Sequence, residues 1–474
     1  MNGKVKNCAE LLRHGDISSR EIVITLTDKV LQKLDAYQQI KSIMRLDGSI
    51  LHIGRQKWDL SLKKNVYLLG AGKACNAMAM AVEEVLGDRL TDGVIIVKIS
   101  EPTDHFKRSR VFVGGHPLPN EEGLRACHEI LQLVDHASAD DLFIVVISGG
   151  SSALMSCPVD GLSLQDEIVT TDVLLKAGIG IQDLNAVRRH ISQLNGGMLA
   201  KRIEARGAEL IGFGISDAVG KPQTEDISIP RPDYHGTPIG PDETTFDDAR
   251  RVIRITHTED LLPKPVVDYI KNGSADQETP KSFPQNTYFL INTLPDSCKI
   301  AEQVAREMGL NAVTLTTFLE GESREAGMFF ASLAREIQTN SRPFSAPCVI
   351  LAAGETTTKI SDNAEIRGHG GPSHELVAAF ALAASKVPGA CMLSIDTEGT
   401  DGTTLYAGGL TDSKTAEAAK LAGIDLYEAL RGHAVGEALV ALNDAVFTGN
   451  TGTNLCDLNV LYVPAATSDR FKKS

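Results

Sequence analysis

An unbroken apolar run that ends in a loop made only of glycine and serine most constrains how this chain folds. Residues Leu142–Ile147 are all apolar, which predicts a strand buried on both faces, as in a parallel sheet. Glycines let a backbone approach a ligand, while serine hydroxyls and exposed N–H groups are hydrogen-bond donors. The loop therefore predicts an anion site, with a tight turn that binds nothing as the alternative. This glycine–serine loop consists of Ser148, Gly149, Gly150, Ser151 and Ser152.

Length and composition bound the class of protein. A chain of 474 residues is too long for one compact core, which predicts two or three domains. The formal net charge of −14, without basic runs, argues against binding to nucleic acid or to an anionic membrane. No apolar run is long enough to span a bilayer, and the N-terminus lacks the apolar core of a signal peptide. The eight scattered cysteines, without a C-x-x-C pair, favour reduced thiols and a cytoplasmic protein.

A second glycine loop follows the predicted strand Val66–Leu69. The sequence Gly-Ala-Gly-Lys-Ala at residues 70–74 precedes a helix rich in alanine and methionine. It fits a dinucleotide-binding fingerprint poorly, because Cys75 holds the third glycine position and Lys98 stands where an acid would bind a ribose. The loop is better interpreted as presenting Lys73 to a ligand. A solvated surface lysine remains the alternative.

Three further polar residues are candidates for binding a substrate. His116 follows a short strand, in a turn of glycines and prolines, and either bonds a substrate or supports the structure. Asn185 and Arg188 share one face of a predicted helix. Arg188 is a candidate clamp for a carboxylate or a phosphate, because guanidinium binds both in a bidentate manner. A solvated helix-face arginine is the alternative.

Acidic residues follow three of the predicted strands. Asp217, Glu355 and Asp401 each lie where an apolar strand ends, the usual position of ligand-facing groups in open α/β sheets. Glu355 and Asp401 are predicted to hold Mg²⁺ beside phosphates, with turn and cap residues as the alternative. A phosphate loop, a lysine, an arginine and these acids suit phosphoryl transfer. The P-loop and protein-kinase motifs are absent from the sequence.

The order of predicted elements indicates the fold class. Strands alternate with helices in both halves, which predicts an α/β protein with a largely parallel sheet in each half. The polar, loosely patterned stretch 276–284 marks the predicted boundary. We therefore expect two α/β/α domains, spanning residues 1–284 and 285–474.

Nine short stretches follow one another along the chain: GAGKA at 70–74, GGHPLP at 114–119, SGGSSAL at 148–154, NAVRRHIS at 185–192, SDAVG at 216–220, LEGE at 319–322, GETTT at 354–358, GTDGTT at 399–404 and TGTNLCDL at 451–458. In this order they resemble the class II glycerate 2-kinases, the family with a C-terminal MOFRL domain. The resemblance implies a Rossmann-like glycerate kinase domain over 1–284, a MOFRL-type domain over 285–474, and an active site in the cleft between them. It also implies ATP-dependent phosphorylation of D-glycerate at its 2-hydroxyl, with Mg²⁺, and a catalytic role for Lys73.

The sequence departs from the family pattern near the expected substrate pocket. Many members have an arginine where this chain has Pro372, which leaves its role to His374, Arg367 or another cation. The usual Lys-Gly-Gly is Asn195-Gly196-Gly197, and the loop 221–245 is longer than the family's Ser-Gly-Pro-Thr segment. These changes leave open which short hydroxy acid is the substrate.

The predicted mechanism assigns one task to each group. The glycine–serine loop binds the ATP phosphates, Lys73 neutralises the transferring phosphoryl group, Arg188 holds the substrate carboxylate, and Asp217 orients or deprotonates the hydroxyl. One rival is an NAD(P)H-dependent hydroxypyruvate reductase, a label that some relatives carry. Another is a non-catalytic protein that binds a nucleotide. A small-molecule substrate is the expected partner, and a homodimer is a general prior for soluble enzymes.

Overall fold

The computed structural model describes residues 3–231, 238–283, 287–360 and 366–466. Its strands form two six-stranded sheets and one three-stranded antiparallel sheet, β1-β2-β3. The strands are β1 Met44–Asp47, β2 Ile50–Ile53, β3 Gln56–Asp59, β4 Asn65–Ala71, β5 Asp92–Val97, β6 Ser109–Val113, β7 Asp141–Ile147, β8 Glu209–Ser216, β9 Thr287–Thr293, β10 Ala312–Glu322, β11 Cys348–Thr357, β12 Cys391–Asp396, β13 Gly408–Asp412, β14 Ala445–Val446 and β15 Asp457–Val463. The helices are α1 Cys8–Leu11, α2 Ile17–Leu34, α3 Ala36–Ile43, α4 Cys75–Leu86, α5 Glu121–Asp135, α6 Ser151–Leu154, α7 Leu164–Lys176, α8 Ile181–His190, α9 Met198–Ala205, α10 Phe246–Thr256, α11 Lys264–Asn272, α12 Leu294–Glu307, α13 Ser323–Asn340, α14 Pro372–Ala384, α15 Thr415–Leu421, α16 Leu426–Arg431 and α17 Val435–Leu442.

The chain divides into two compact units, each made of separate segments. The parallel-sheet unit comprises Ala36–Ile215 and Glu225–Ile291. The mixed-sheet unit comprises Met1–Asp35, Ser216–Thr224 and Asn292–Ser474. The predicted domains were continuous in sequence, whereas these units are not. The predicted boundary, between residues 284 and 285, lies outside the described residues.

The parallel-sheet unit is built around the strand order β6-β5-β4-β7-β8-β9. Strands β4 to β8 run parallel, so the loops after β4 and β7 leave the same edge of the sheet. Side chains alternate between the two faces of a strand. Leu69 packs with Ile130 of α5 in one apolar cluster, whereas the next residue, Gly70, faces Cys75 of α4. Helices therefore cover both faces, as the α/β/α prediction requires.

Strand β9 corrects one expectation about the topology. The expected second domain, residues 285–474, includes all of β9, but β9 lies beside β8 at the edge of the first sheet. Tyr288 accordingly packs into the same apolar cluster as Leu210 of β8. An apolar strand carries no local mark of the sheet that it joins, which is why the sequence pattern misplaced it.

The second sheet corrects the prediction of a largely parallel sheet in both halves. Its order is β10-β11-β15-β12-β13-β14, and only the β10–β11 pair among the registered pairs is parallel. The last strand, β15, lies between β11 and β12 and runs antiparallel to both. The loop 397–407 joins β12 to β13 without a crossover helix, and this pair is antiparallel too.

Helix α2 explains why the first 35 residues belong to the mixed-sheet unit. It contacts β12 and β15 on the face opposite to α13 and α14, and buries Val23, Leu26 and Val30. Its Arg20 is fully buried, and Nη1 donates to Oδ1 of Asp444 at 2.6 Å. A buried ion pair thus adds to the apolar contacts of this helix. None of the described helices combines the length and the apolarity that crossing a bilayer requires.

Candidate active site

The two glycine loops meet at the edge of the parallel sheet. Ala71 is in register with Ile147, so the segments that follow them are neighbours. Lys73 N donates to Gly149 O at 3.0 Å, and Ala74 N donates to Ser148 Oγ at 3.0 Å. Ser148 is buried, so its hydroxyl joins the two loops and is not displayed at the surface.

Gly150 lies between two of the predicted site residues. Its φ of +85° is a left-handed conformation that favours glycine. A Cβ placed there would lie 3.0 Å from Lys73 Cγ and 3.1 Å from His116 Cδ2. The fold therefore brings Lys73 and His116, 43 positions apart by their numbering, to the same glycine–serine loop. Both side chains are half-buried.

Ser152 is connected to a residue that the sequence analysis noted only as a departure. Asn195 is buried, and its Nδ2 donates to the carbonyl oxygens of Ser152 at 3.2 Å and Met155 at 3.3 Å. Its Oδ1 has no hydrogen-bond partner among the described residues. The chain after α8 is also attached to the chain after α6, because Ser192 forms a bridge with Pro158.

Arg188 is buried on α8, with 9% of its surface exposed, which excludes the solvated helix-face alternative. Its Nε has no hydrogen-bond partner among the described residues. Burial lowers the pKa of its guanidinium, while Glu167 of α7 opposes that shift. Asn185 lies about one turn earlier on α8 and is half-buried. The neighbouring Arg189 is committed elsewhere, to Asp242 at 2.8 Å.

The mixed-sheet unit gathers the predicted acidic residues. Asn454 Nδ2 donates to Asp217 Oδ2 at 3.1 Å, and Cys456 Sγ donates to Asp217 O at 3.3 Å. Burial, followed by the charges of Asp217, Glu355 and other nearby carboxylates, raises the pKa of the Cys456 thiol. Asp217 and Glu355 therefore share one acidic neighbourhood.

The two residues predicted to bind Mg²⁺ differ in their burial. Asp401 is buried, and its Oδ2 accepts from the backbone N of His374 at 2.8 Å and also contacts the imidazole Nδ1. Glu355 is exposed at the end of β11. Within the described ranges, no group of three or more His, Cys, Asp or Glu residues is arranged to hold a metal ion.

The residues considered as substitutes for the family arginine occupy different environments. Pro372 begins α14, and His374 is fully buried in its first turn. Arg367 is exposed and pairs with Glu428 at 3.3 Å. His374 therefore supports Asp401 from the interior and does not present a cation at the surface.

The sequence analysis did not single out Glu167 or Asn454, which interact with the candidate site residues Arg188 and Asp217. Glu167 shares the buried face of α7 with Leu164, Thr171 and Leu174. A charged residue on an otherwise buried helix face is a signal that could have identified it. Asn454 had a weaker signal, because it lies in the Thr451–Leu458 stretch but no local pattern links it to Asp217.

Comparison with known proteins gives consistent matches along the chain. The family model described as a domain of unknown function, DUF4147, matches residues 22–271, and the MOFRL family model matches residues 348–457. A glycerate 2-kinase from Pyrococcus horikoshii is 35% identical over 95% of this chain and 98% of its own length. A protein from Agrobacterium vitis, provisionally named a hydroxypyruvate reductase, is 32% identical over 84% of this chain and 98% of its own length. The crystal structure of a glycerate kinase from Thermotoga maritima superposes with a TM-score of 0.74, at 31% identity, covering 94% of this chain and 99% of that one.

Proposed function

The chain belongs to the family of glycerate 2-kinases that combine a DUF4147 domain with a MOFRL domain, and on that premise we propose that it transfers the γ-phosphoryl group of ATP to the 2-hydroxyl of D-glycerate. One observation carries the proposal: Lys73 lies against Gly150 of the glycine–serine loop. A cation beside a loop that a phosphate can approach closely suits a reaction whose catalysis is mostly positioning and charge neutralisation.

The glycine–serine loop and Lys73 are proposed to handle the nucleotide phosphates. Gly149 and Gly150 carry no side chain to keep a phosphate away from the backbone, and both are half-buried. Lys73 would place its ammonium beside the γ-phosphoryl group and neutralise charge as that group moves. The bond between the β,γ-bridging oxygen and the γ-phosphorus breaks, and ADP leaves with the bridging oxygen.

Arg188 is proposed to bind the carboxylate of the substrate. Its Nε has no hydrogen-bond partner among the described residues, so bidentate binding of a carboxylate is available. His116 and Asn185 are proposed as further substrate contacts. Their support is weaker, because it consists of a position beside Gly150 for His116 and a shared helix with Arg188 for Asn185.

Asp217 is proposed to take the proton from the attacking hydroxyl group. Asn454 supports this role, because its hydrogen bond holds one carboxylate oxygen and fixes the orientation of the other. As the oxygen of the substrate bonds to phosphorus, its proton would pass to Asp217 and later to solvent.

Mg²⁺ is proposed to arrive with the nucleotide, since this ion is usually held by one or two carboxylates together with substrate phosphates. Exposed Glu355 fits such a ligand better than Asp401, whose Oδ2 already binds His374. The ion would neutralise charge on the β- and γ-phosphates.

The free state of all eight cysteines supports the proposal of a cytoplasmic location.

A single assay separates the proposed kinase from its rivals. The full-length protein is mixed with ATP, Mg²⁺ and D-glycerate, and ADP release is coupled to an independent reporter. A parallel sample receives NADH and hydroxypyruvate, and its absorbance is followed. We expect ADP release without loss of NADH. Loss of NADH would favour the reductase, whereas nucleotide binding without ADP release from any short hydroxy acid would favour a non-catalytic protein.

A further inference from the structure

A buried carboxyl group on α7 and a buried guanidinium group on α8, which packs against α7, form no direct hydrogen bond with each other. Glu167 of α7 is 1% exposed, and Arg188 of α8 is 9% exposed. Both carboxylate oxygens of Glu167 lack a hydrogen-bond partner among the described residues, and so does the Nε of Arg188. Groups of this kind are usually paired when they are buried, because desolvation destabilises an isolated charge. Their arrangement therefore suggests a function that a closed ion pair would not serve.

The surroundings of Glu167 make its charge sensitive to a nearby anion. Burial raises the pKa of Glu167, while the charge of the Arg188 guanidinium opposes that shift. The positive charge of Arg189, the next residue on α8, lowers the pKa of Arg188 further. Cys127 of α5 is a further titratable group near Glu167. The positive charge of Arg188 thus favours the ionised form of Glu167.

We propose that Glu167 takes up a proton when the substrate carboxylate binds to Arg188. The inference rests on the proposed role of Arg188. A carboxylate bound there neutralises the guanidinium and adds a negative charge near Glu167. Both effects disfavour the ionised form of Glu167, so one proton passes from solvent to its carboxyl group for each anion bound. Glu167 is a positioning residue, because it acts on the substrate through Arg188.

The coupling makes substrate affinity depend on pH in one direction. The carboxyl group of a short hydroxy acid stays ionised near neutral pH, so the substrate itself contributes no titration there. Between the pKa of Glu167 in the free protein and its higher pKa in the complex, the dissociation constant of D-glycerate rises with pH. The limiting slope is about tenfold per pH unit, because one proton accompanies each anion.

Calorimetry with the full-length protein tests the coupling. D-glycerate is titrated into the wild-type protein, Glu167→Gln and Asp172→Asn, each in two buffers with different ionisation enthalpies. Asp172 lies on the same helix, and its side chain is 49% exposed and paired with Lys176, which makes it a matched control. For the wild type and Asp172→Asn we expect proton uptake on binding and a dissociation constant that rises with pH. For Glu167→Gln we expect no uptake and a dissociation constant independent of pH.

The outcomes distinguish this inference from the proposed function. Normal turnover of D-glycerate by the wild type without proton uptake would overturn the coupling and leave the kinase assignment intact. Uptake that persists in Glu167→Gln would overturn the assignment of the proton to this residue. Failure of the wild type to bind or phosphorylate D-glycerate would overturn the proposed function and the coupling together. If Glu167→Gln does not fold, proton uptake by the wild-type protein still tests the coupling. A role of Glu167 in packing alone predicts no proton uptake when D-glycerate binds.

Discussion

Lys73 lies against Gly150, so that a Cβ at Gly150 would be 3.0 Å from Lys73 Cγ. The two residues come from the loops after adjacent parallel strands, β4 and β7. The lysine side chain therefore packs against the glycine–serine loop at a position that has no side chain. This contact makes the site sensitive to the size of a single residue.

Gly150→Ala is expected to reduce activity more than its effect on stability explains. The left-handed φ alone destabilises an alanine there by about 1 kcal/mol, and the new methyl group also displaces Lys73 or His116. Gly161→Ala is a matched control, because its φ is +91° and nothing lies within 4 Å of an added Cβ. Thermal melting and ADP release measure the two effects. Equal activity of the two variants would show that the space beside Gly150 is unimportant.

Removal of the Lys73 ammonium is expected to reduce kcat by about 100- to 1,000-fold, because a charge that stabilises the transition state is lost. Lys73→Met keeps most of the side-chain volume and is compared by the rate of ADP release. Lys176→Met serves as the control, since the side chain of Lys176 is 75% exposed. A folded Lys73→Met protein with a kcat near that of the wild type would show that Lys73 is not catalytic.

Asn454 is expected to act through Asp217. Asn454→Ala removes the hydrogen bond to Asp217 Oδ2. If the poorer orientation of Asp217 raises the activation free energy by about 1 kcal/mol, kcat falls roughly fivefold. Asp217→Asn should cost considerably more, because it removes the proposed base. In the double variant the effect of Asn454→Ala should disappear. Independent, additive effects would argue against this hydrogen bond as the link.

Acid stability should reveal the environment of Glu278. Burial would raise its pKa, but the backbone N–H of Phe246 and the His190 side chain, at 2.7 Å, lower it from 4.5 to about 2. A carboxyl group whose pKa is lowered in the folded state stabilises the protein at pH values above the pKa of the same group in the unfolded chain. That contribution is lost as the pH falls from 4.5 to about 2. The difference in unfolding free energy between wild type and Glu278→Gln should shrink over this window. A constant difference would contradict the assignment.

The local parts of the site could be predicted from the sequence because each depends on a short pattern. The strand Leu142–Ile147 and its glycine–serine loop need only a continuous apolar run and the small residues after it. The pairing of this loop with Lys73 follows from parallel strands, whose ends share one edge. The buried position of Arg188 could not be predicted in the same way, because it depends on packing between α7 and α8.

The arrangement of strands in the mixed sheet was beyond local patterns. The apolar run of β15 is compatible with either direction, and its place between β11 and β12 follows from contacts with residues far away in sequence. The same holds for α2, whose apolar face is visible in the sequence but whose partner sheet is not. Arg20 could have marked it, because a charged residue on a buried helix face requires partners such as Asp412 and Asp444.

The position of the new phosphate ester tests the central claim most directly. The full-length protein is incubated with ATP, Mg²⁺ and D-glycerate, and the product is identified by phosphorus NMR against authentic 2- and 3-phosphoglycerate. Phosphorylation of the 2-hydroxyl predicts 2-phosphoglycerate in amounts equal to the ADP released. Formation of 3-phosphoglycerate, or of no phosphate ester while hydroxypyruvate is reduced by NADH, would contradict it.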